Sequence, residues 1–516
     1  MDKYIEVVYT KKTEFSKRFL EINNSSGLNI GGCIMTVNES NATRTNQKIS
    51  GRQLIIAIML SILTYWLFAQ AFLNIGPNVQ KTYPVSPNII NISISLTSFV
   101  TGVFMVVGGN ISDRVGKVKM TRVALILSII GSIAIIITGN AVLLLLGRAL
   151  QGLSAAIIMP TTIAMINDYF EGEERQKALS YWSIGSFGGT GLASFFAGAI
   201  ATFTSWQMIF VMSIIGAIIA LFLIKSLPEQ HKEKQQNTPF DYVGLVIFVL
   251  MIGSISFVIT QGNKIGWSNI ITIILAATFV ISIVIFIAVE KRKAIPFMDL
   301  TLFKNRSYVG AVVSNCLLNT GVGVIALINI YAQAGHGLSG FSAGLITLPY
   351  LIALLLVVRL GEKSIKKFGA KRAMVFGPIC TGFGVLLMSI TFIDSTFYII
   401  LTLIATIFFG AGTGFFATPA LSTAVSTTAS EKIGVASGIF KMGSTLGGAF
   451  GIAIITSIYT GLSVAGYSVH LAASVGFIVG TCLIGSAIVV STLVLPNTGR
   501  EQNTNSSYTT NEEPVK

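Results

Sequence analysis

The chain alternates between long runs of apolar residues and short polar gaps. Each run approaches the ~20 residues that a helix needs to cross a bilayer. Apolar positions within a run are continuous rather than alternating with a period of two, which favours helices over barrel strands. The runs predict fourteen membrane-spanning helices, at about 54–76, 88–110, 121–139, 141–166, 178–200, 205–225, 241–260, 269–289, 307–333, 342–359, 373–392, 396–419, 434–460 and 470–495.

The composition supports a lipid environment for most of the chain. Hydrophobic residues make up 52% of the 516 residues and charged residues only 11%, and the mean hydropathy is +0.75. Soluble domains carry about 25% charged residues. Since backbone polar groups in lipid must be satisfied internally, only helices and closed barrels can span a membrane. The sequence therefore predicts an all-α polytopic membrane protein whose main environment is the lipid bilayer.

Positive charge falls in every second gap between the apolar runs. The net charge of +14 would suggest nucleic-acid binding in a soluble protein. Here the Lys and Arg residues are concentrated in gaps such as 114–122, 291–306 and 363–372, whereas the alternate gaps hold little beyond Lys81 and Lys264. By the positive-inside rule, the basic gaps and both termini face the cytoplasm. We expect no nucleic-acid partner.

One stretch of the chain is repeated in its second half. Pro160 is followed by EGEERQKALSYWSIGS, which ends at Ser186, and Pro419 is followed by ASEKIGVASGIFKMGS, which ends at Ser444. The spacing of the two stretches agrees to within about one residue. Such a repeat predicts two related six-helix halves that face one another, as in alternating-access transporters. The seventh and eighth predicted helices are then an insertion between the halves.

The predicted organisation has five segments. They are a polar N-terminus (1–50), a first six-helix half (51–226), two inserted helices with their linkers (227–306), a second six-helix half (307–495) and a tail (496–516). The N-terminus lacks hydrophobic periodicity, so we expect it to be disordered and cytoplasmic. Translation from Met35 is an alternative to a start at Met1.

Two basic residues fall well inside predicted helices. Arg148 lies roughly 10 Å deep in the fourth helix at 1.5 Å per residue, and a charge at that depth marks function by default. Gln151 and Gly152 lie one turn away on the same face. Lys441 is similarly deep in the thirteenth helix, where it would repel cationic ligands. The alternative for both basic residues is snorkelling to the nearer interface. Acidic residues such as Asp168 fall near helix ends.

Amphipathic aromatic and amide side chains on three helices are candidates for a ligand cavity, because such side chains bind many shapes loosely. These residues are Tyr65, Trp66, Gln70, Asn74, Tyr181, Trp182, Asn315 and Asn319. Helix packing is the alternative for each of them. The histidines and cysteines are too scattered for a metal site, and no GxxxxGK[ST] motif indicates ATP binding. We expect no metal and no cofactor.

Several separated stretches resemble the signatures of one family. GGNISDRVGK resembles the loop 2–3 signature of the major facilitator superfamily, with Gly109, Asp113, Arg114, Gly116 and Lys117 in register. LLGRALQGLSAA resembles the fourth-helix signature of the proton-coupled members. YWLFAQ, RQKALSYWSIGSFGG and GIFKMGSTLGGAFG closely resemble quinolone-efflux transporters of the fourteen-helix drug:proton antiporter-2 branch. The resemblance runs from about residue 50 to 495.

The resemblance implies the major facilitator fold, here with two inserted helices, in a bacterial plasma membrane. It implies that small amphipathic drugs of the quinolone type leave the cytoplasm in exchange for protons. It also implies that Asp113 pairs across the two halves and holds the cytoplasmic gate shut. A carboxylate near the start of the third helix also suits the N–H groups there, and a role in topology alone is the alternative. Asp113, Asp168 and Lys441 are the candidate proton carriers.

Two positions depart from the pattern of the family. The fifth-helix antiporter motif usually carries Gly-Pro followed by Gly-Gly, whereas this chain has Ala193-Ser194 and Ala197-Gly198. Many relatives place an Asp in the first helix where this chain has Phe68. Two other functions therefore stay open. One is a narrower transporter of a metabolite or a metal–drug complex, and the other is a ligand-binding membrane sensor or scaffold.

The charge asymmetry makes a prediction about topology. Cysteines introduced at Lys119, Lys232 and Lys367 should react with an impermeant thiol reagent only from the cytoplasmic side. Cysteines at Lys81 and Lys264 should react only from outside. Labelling of position 367 from outside would overturn the count of fourteen helices.

Overall fold

The computed structural model describes residues 51–83, 85, 87–137, 139–225, 227, 229, 241–293, 296–298, 300–338 and 340–496. The predictions about residues 1–50, the translation start and nearly all of the tail lie outside these ranges. So do Lys232 and Lys234 between the sixth and seventh helices.

Fourteen helical rods follow one another in the described part of the chain. Rod α1 comprises Gly51–Leu63, a π-helical turn at Thr64–Ala69, and Gln70–Thr82. The next seven are α2 (Pro87–Val115), α3 (Lys117–Ile136), α4 (Ala141–Tyr169), α5 (Gly172–Phe203), α6 (Gln207–Ile224), α7 (Tyr242–Ile265) and α8 (Ile270–Glu290). The last six are α9 (Arg306–Asn319 and Gly321–His336), α10 (Gly340–Ile346 and Leu348–Phe368), α11 (Ala370–Met388), α12 (Ser395–Ser426), α13 (Ile433–Val464) and α14 (Val469–Leu493).

The rods have the length and composition of membrane-spanning helices. Among the described residues, 13 helical stretches are long and apolar enough to cross a membrane, and α5 is the remaining rod. The predicted all-α polytopic fold is therefore confirmed. We call α1–α6 the N half and α9–α14 the C half. The basic end of the bundle is the one that holds the α2–α3, α4–α5, α8–α9, α10–α11 and α12–α13 connections.

Several rods extend further at the basic end than the apolar runs predict. Rod α10 continues beyond residue 359 to Phe368, and α2 continues beyond residue 110 to Val115. Charged residues end an apolar run but do not end a helix, since Lys and Glu are good helix formers. This extension places Asp113 in the last turn of α2. Asp113 is near the start of α3, as expected, since α3 begins at Lys117, but it belongs to the preceding helix.

The backbones of neighbouring helices approach closely where glycines lie at the contact. A Cβ atom added at Gly447 of α13 would overlap the carbonyl oxygen of Cys316 in α9, and one added at Gly451 would overlap that of Thr320. In the N half, a Cβ at Gly152 of α4 would lie 2.6 Å from the Thr97 carbonyl oxygen of α2. Small residues thus let helices pack at short range in a membrane, where lipid provides no hydrophobic driving force.

The first of the two inserted helices packs against both halves. Rod α7 contacts α2 of the N half, α13 of the C half and its partner α8. The Phe248 ring of α7 lies 5.7 Å from Phe286 of α8 and 5.4 Å from Phe297 in the following segment. The side chain of Asn110 in α2 donates to the Phe297 carbonyl oxygen at 2.7 Å. The insertion is therefore anchored to α2 at the basic end.

A carboxylate caps the inserted pair at the same end. Asp241 accepts a hydrogen bond from the Gly244 N–H at 2.8 Å and is paired with Lys293. Burial alone would raise the pKa of Asp241, but the Lys293 ammonium and the Gly244 N–H reverse the effect and lower it. This carboxylate therefore stays ionised and holds the segment after α8 against the start of α7.

The packing of α9 on α13 predicts a difference between two glycines of the same helix. Gly447→Ala should destabilise the protein by about 1–3 kcal/mol because the added methyl group overlaps backbone. Gly461→Ala is the control, since a Cβ at that position meets no atom within 4 Å. Thermal unfolding in detergent should show a lower midpoint for Gly447→Ala only. Equal midpoints for the two variants would contradict the close packing.

Candidate functional site

The two halves meet at the basic end through α2 and α13. Asp113 accepts hydrogen bonds from the backbone N–H groups of Gly434 at 3.1 Å and Val435 at 3.0 Å. These N–H groups belong to the first turn of α13, where the partial positive charge of a helix N-terminus favours an anion. A carboxylate of the N half thus caps a helix of the C half.

Glycines let the two helices approach closely enough for this cap. A Cβ atom at Gly109 would overlap the Gly434 carbonyl oxygen, and a Cβ at Gly434 would overlap the Asp113 carboxylate. One turn further along α13, a Cβ at Gly438 would lie 2.9 Å from the Met105 carbonyl oxygen. Any larger side chain at Gly109 or Gly434 would separate the halves.

A different carboxylate caps the third helix. Glu229 accepts hydrogen bonds from the N–H groups of Val118 at 2.9 Å and Lys119 at 3.0 Å. Its carboxylate occupies the space that a side chain at Gly116 would need, and Gly116 has φ = 117°. The expectation that Asp113 serves these N–H groups is wrong, because Glu229 takes that position and frees Asp113 for α13.

The lysine of the loop 2–3 signature forms an ion pair within the N half. Lys117 pairs with Asp168 at 2.6 Å, which joins the start of α3 to the end of α4. Arg114 lies in the last turn of α2. Asp168 therefore contributes to an ion pair inside one half rather than standing alone.

Lys441 is enclosed by aromatic rings of the opposite half. Its Nζ atom lies 4.7 Å from the ring centroid of Trp182, 5.5 Å from that of Phe187 and 5.6 Å from that of Trp66. The Ser186 hydroxyl accepts a hydrogen bond from it at 3.4 Å. Only 3% of Lys441 is exposed, so the alternative that it snorkels to the interface is wrong. We call Trp66, Trp182, Ser186 and Phe187 the aromatic cage.

Hydrogen bonds and close packing fix the rings of the cage. The Trp182 indole N–H donates to Thr162 Oγ1 at 2.9 Å, and the Trp66 indole N–H points to Met159 Sδ at 3.2 Å. Gly189 lets α5 approach α1, because a Cβ there would lie 2.9 Å from Cβ of Trp66. Residues of the N half therefore orient the two indoles of the cage.

Arg148 joins three helices of the N half. Its guanidinium donates to the carbonyl oxygens of Ala69 at 2.9 Å and Ser93 at 3.2 Å, and to Gln151 Oε1 at 2.8 Å. Its charge also lies 4.5 Å from the ring centroid of Phe72. With 2% exposure, Arg148 does not snorkel. Gln151 shares its polar cluster, as predicted, whereas Gly152 serves the close contact with α2.

The remaining candidate cavity residues are dispersed. Tyr65 is buried beside the cage and accepts a hydrogen bond from Gln70 at 3.0 Å. Asn315 donates to the Phe440 carbonyl oxygen and to Ser444 and so holds α9 against α13 inside the C half. Asn319 donates to Asn315 one turn away within α9. The side chain of Asn74 lies outside the described residues. Of the eight candidates, the structure brings Trp66 and Trp182 together on Lys441.

A second contact between the halves lies along α5 and α10. The Arg359 guanidinium lies 3.9 Å from the ring centroid of Tyr181, and Lys366 pairs with Glu173 at 2.5 Å. Both pairs lie towards the basic end. Together with the α2–α13 contact, they close the basic end of the molecule.

Sequence reasoning missed Glu229, Phe187 and Thr162 as parts of this site. Nothing near Glu229 in sequence shows that it caps a helix more than one hundred positions away. Ser186 did have a signal, since it ends the internal repeat that relates it to Ser444. The repeat itself therefore pointed to the place where the halves meet.

Comparison with known proteins identifies the family. The profile described as the Major Facilitator Superfamily matches residues 54–452, with a second match over 307–515. The chain belongs to the major facilitator superfamily.

Curated members of the major facilitator superfamily resemble the chain over most of its length. The quinolone resistance protein NorB of Staphylococcus aureus strain Newman is 43% identical over 423 residues, which cover 80% of this chain and 91% of NorB. NorB of strain MRSA252 is 43% identical over 407 residues, with 79% and 88% covered. The predicted family is confirmed, and the chain is a multi-pass membrane transporter rather than an enzyme.

Solved structures of the superfamily share the fold. The human organic anion transporter MFSD10 (TETRAN) superposes with a TM-score of 0.63 at 14% identity, covering 85% of this chain and 99% of that one. The proton:xylose symporter XylE gives 0.59 at 13% identity, with 85% and 95% covered. At such low identity, these likenesses concern the major facilitator fold alone.

The interhalf cap makes a prediction for this major facilitator transporter. Asp113→Asn keeps the shape but removes the charge, and the loss of the interaction between this charge and the N-terminus of α13 should cost about 0.3–2 kcal/mol. The population with an open basic end should rise by about 2–30-fold, since 1.4 kcal/mol corresponds to a factor of about ten, and turnover should fall more than drug binding. A Ser437→Cys reporter, buried beside Pro160 between the halves, should react faster with thiol reagents.

The matched control for Asp113→Asn is Asp394→Asn. Asp394 caps the start of α12 within the C half by accepting from the Thr396 N–H at 2.9 Å. Its loss should leave the reactivity of the reporter unchanged. If Asp113→Asn changes neither transport nor reactivity, the loop 2–3 signature serves topology alone.

Proposed function

We propose that the protein exports small amphipathic drugs, quinolones among them, from the bacterial cytoplasm across the plasma membrane in exchange for protons. The similarity to NorB supports this substrate class. The Lys and Arg residues at the basic end support a cytoplasmic location for that end. The termini are then cytoplasmic too, and the structure corresponds to a cytoplasm-closed state.

The observation that carries the proposal is the aromatic cage at the boundary of the halves. Buried aromatic faces bind ring systems of many shapes, and loosely specific pockets use such surfaces. The cage belongs to the N half and its present occupant, Lys441, to the C half. When the halves separate at the cytoplasmic end, the cage and Lys441 part, and a drug from the cytoplasm can take the place of the lysine side chain.

Proton coupling needs a titratable group whose surroundings differ between the two states. Asp113 and Lys441 fit this requirement, because each contacts the opposite half in the closed state. Asp168 pairs with Lys117 inside the N half, and the hydrogen bonds of Arg148 among the described residues also go to the N half. We therefore propose that Asp113 and Lys441 carry the coupling. Asp168 and the Arg148–Gln151 cluster support the structure of the N half.

The alternatives differ in what they transport. A sensor or scaffold would bind drugs without moving them, although two halves that close on a shared site have no evident use in such a protein. A narrow transporter of one metabolite or of a metal–drug complex would accept only one member of a varied panel. Lys441 also favours zwitterionic or anionic drugs over dicationic dyes, since like charges repel strongly where water is excluded.

The test is drug uptake by proteoliposomes across a varied panel. With an acidic lumen, proton efflux should drive quinolone accumulation, and one pH unit corresponds to about tenfold accumulation at one proton per drug. A protonophore should abolish it. Asp168→Asn should keep the dependence on the pH gradient, whereas Lys441→Met and Asp113→Asn should weaken it. Drug binding without gradient-driven accumulation in the wild type would refute antiport.

A further inference from the structure

The Lys441 ammonium is surrounded by groups that suit a cation, but they accept few hydrogen bonds from it. An ammonium has three N–H donors. Here one hydroxyl, that of Ser186, accepts at the long distance of 3.4 Å, and three ring faces surround the rest. In the described part of the chain, no carboxylate is paired with Lys441. A buried ammonium without an anion is costly.

The cage itself is built to receive a cation. Lysine and ligand ammonium groups bind over aromatic faces within about 6 Å of the ring centroid, and cages of several rings recognise ligand ammonium groups in this way. All three rings of the cage meet this distance for Nζ of Lys441. The indoles are oriented by Thr162 and Met159 of the N half, so the cage does not depend on the lysine for its shape.

Once the halves separate, two complementary features face the same opening. One is an empty cage that attracts an ammonium group, and the other is the Lys441 ammonium, which has lost its rings and lacks an anion. We infer that the cage and Lys441 together form a binding site for zwitterionic aromatic drugs, with the cage holding the drug's ammonium and Lys441 holding its carboxylate. This inference rests on the proposed export function.

Charge decides which drugs fit such a site. A zwitterion satisfies both features, whereas a drug with only a cationic group leaves Lys441 unpaired beside a second positive charge. A drug with only a carboxylate leaves the cage without a cation. When a drug leaves, Lys441 can return to the cage and close the transporter. The lysine is thus a tethered replacement for the ammonium group of the drug.

The other charged groups near the contact between the halves have partners of their own outside the cage. Arg148 donates hydrogen bonds to the carbonyl oxygens of Ala69 and Ser93 and to Gln151, within the N half. Asp113 lies two turns nearer the basic end and binds the start of α13. Arg359 lies over Tyr181, and Glu173 pairs with Lys366, both on the α5–α10 contact. Lys441 is the basic group that the cage encloses.

Three forms of one drug can test the inference. A piperazinyl fluoroquinolone is zwitterionic, its carboxylic methyl ester is cationic, and its N-acetyl derivative is anionic, while the ring system is the same. Counterflow into preloaded proteoliposomes, without a pH gradient, measures kcat/KM for each. The wild type should prefer the zwitterion over either derivative by at least about tenfold, since a charged hydrogen-bonded contact changes affinity on that scale.

Variants should separate the two parts of the site. Lys441→Met should reduce the preference for the zwitterion over the ester to about twofold or less and retain the preference over the N-acetyl form. Trp182→Leu should do the reverse. Lys441→Arg and Trp182→Phe, which keep the charge and the ring face, should retain the wild-type pattern. Lys291→Met and Trp267→Leu replace exposed residues elsewhere and are the controls.

The outcomes are distinct for the inference and for the proposed function. Equal kcat/KM values for the three forms in the wild type would overturn the inference. So would Lys441→Met and Trp182→Leu variants that insert normally, transport the drug and keep the wild-type preference. If Lys441→Met or Trp182→Leu fails to insert into the membrane, the corresponding conservative variant, Lys441→Arg or Trp182→Phe, provides the test. Loss of the preference for the zwitterion in that conservative variant would contradict the role assigned to the residue. Absence of any drug transport by the wild type would instead refute the proposed function.

Discussion

The closed state depends on the close backbone approach of α2 and α13 at the basic end. Gly109 and Gly434 permit that approach, and the carboxylate of Asp113 then reaches the first N–H groups of α13. The same contact sets the position of Lys441, which lies on α13 two turns further from its N-terminus. Cap and cage are therefore formed or broken together. The hydrogen-bonded cap at the start of α13 and the aromatic contacts of Lys441 are thus linked through one helix.

The fold was largely predictable because its constraints are local. Lipid forces each crossing segment to be a continuous apolar helix, so the fourteen rods were visible as runs, and the repeat around Pro160 and Pro419 indicated two halves. The depth of Arg148 and Lys441 in the runs left burial and snorkelling both open, and the structure shows that both side chains are buried. Helix ends were less predictable, as α10 shows, because charged residues continue a helix after the hydrocarbon ends.

The partners within the site could not be predicted from the sequence. Asp113 and Gly434 lie 321 positions apart, and no local pattern relates a carboxylate to the particular helix end that it caps. Likewise, the sequence does not show that Glu229 rather than Asp113 accepts hydrogen bonds from the first N–H groups of α3. From the sequence, Trp66 and Trp182 could each serve either helix packing or a ligand cavity. Only the position of Lys441 decided between them for Trp66 and Trp182.

The packing of α7 on both α2 and α13 has a consequence for the way in which drugs arrive. The outer face of α7 is apolar and exposed, with Val243, Val246 and Leu250 turned away from the bundle, so lipid tails contact this helix rather than the seam behind it. Under the proposed export function, α7 shields the α2–α13 seam from drugs dissolved in the inner leaflet. The interhalf contacts of the inserted helix lie along this seam, so the two seams between the halves are unequal towards the lipid that surrounds them.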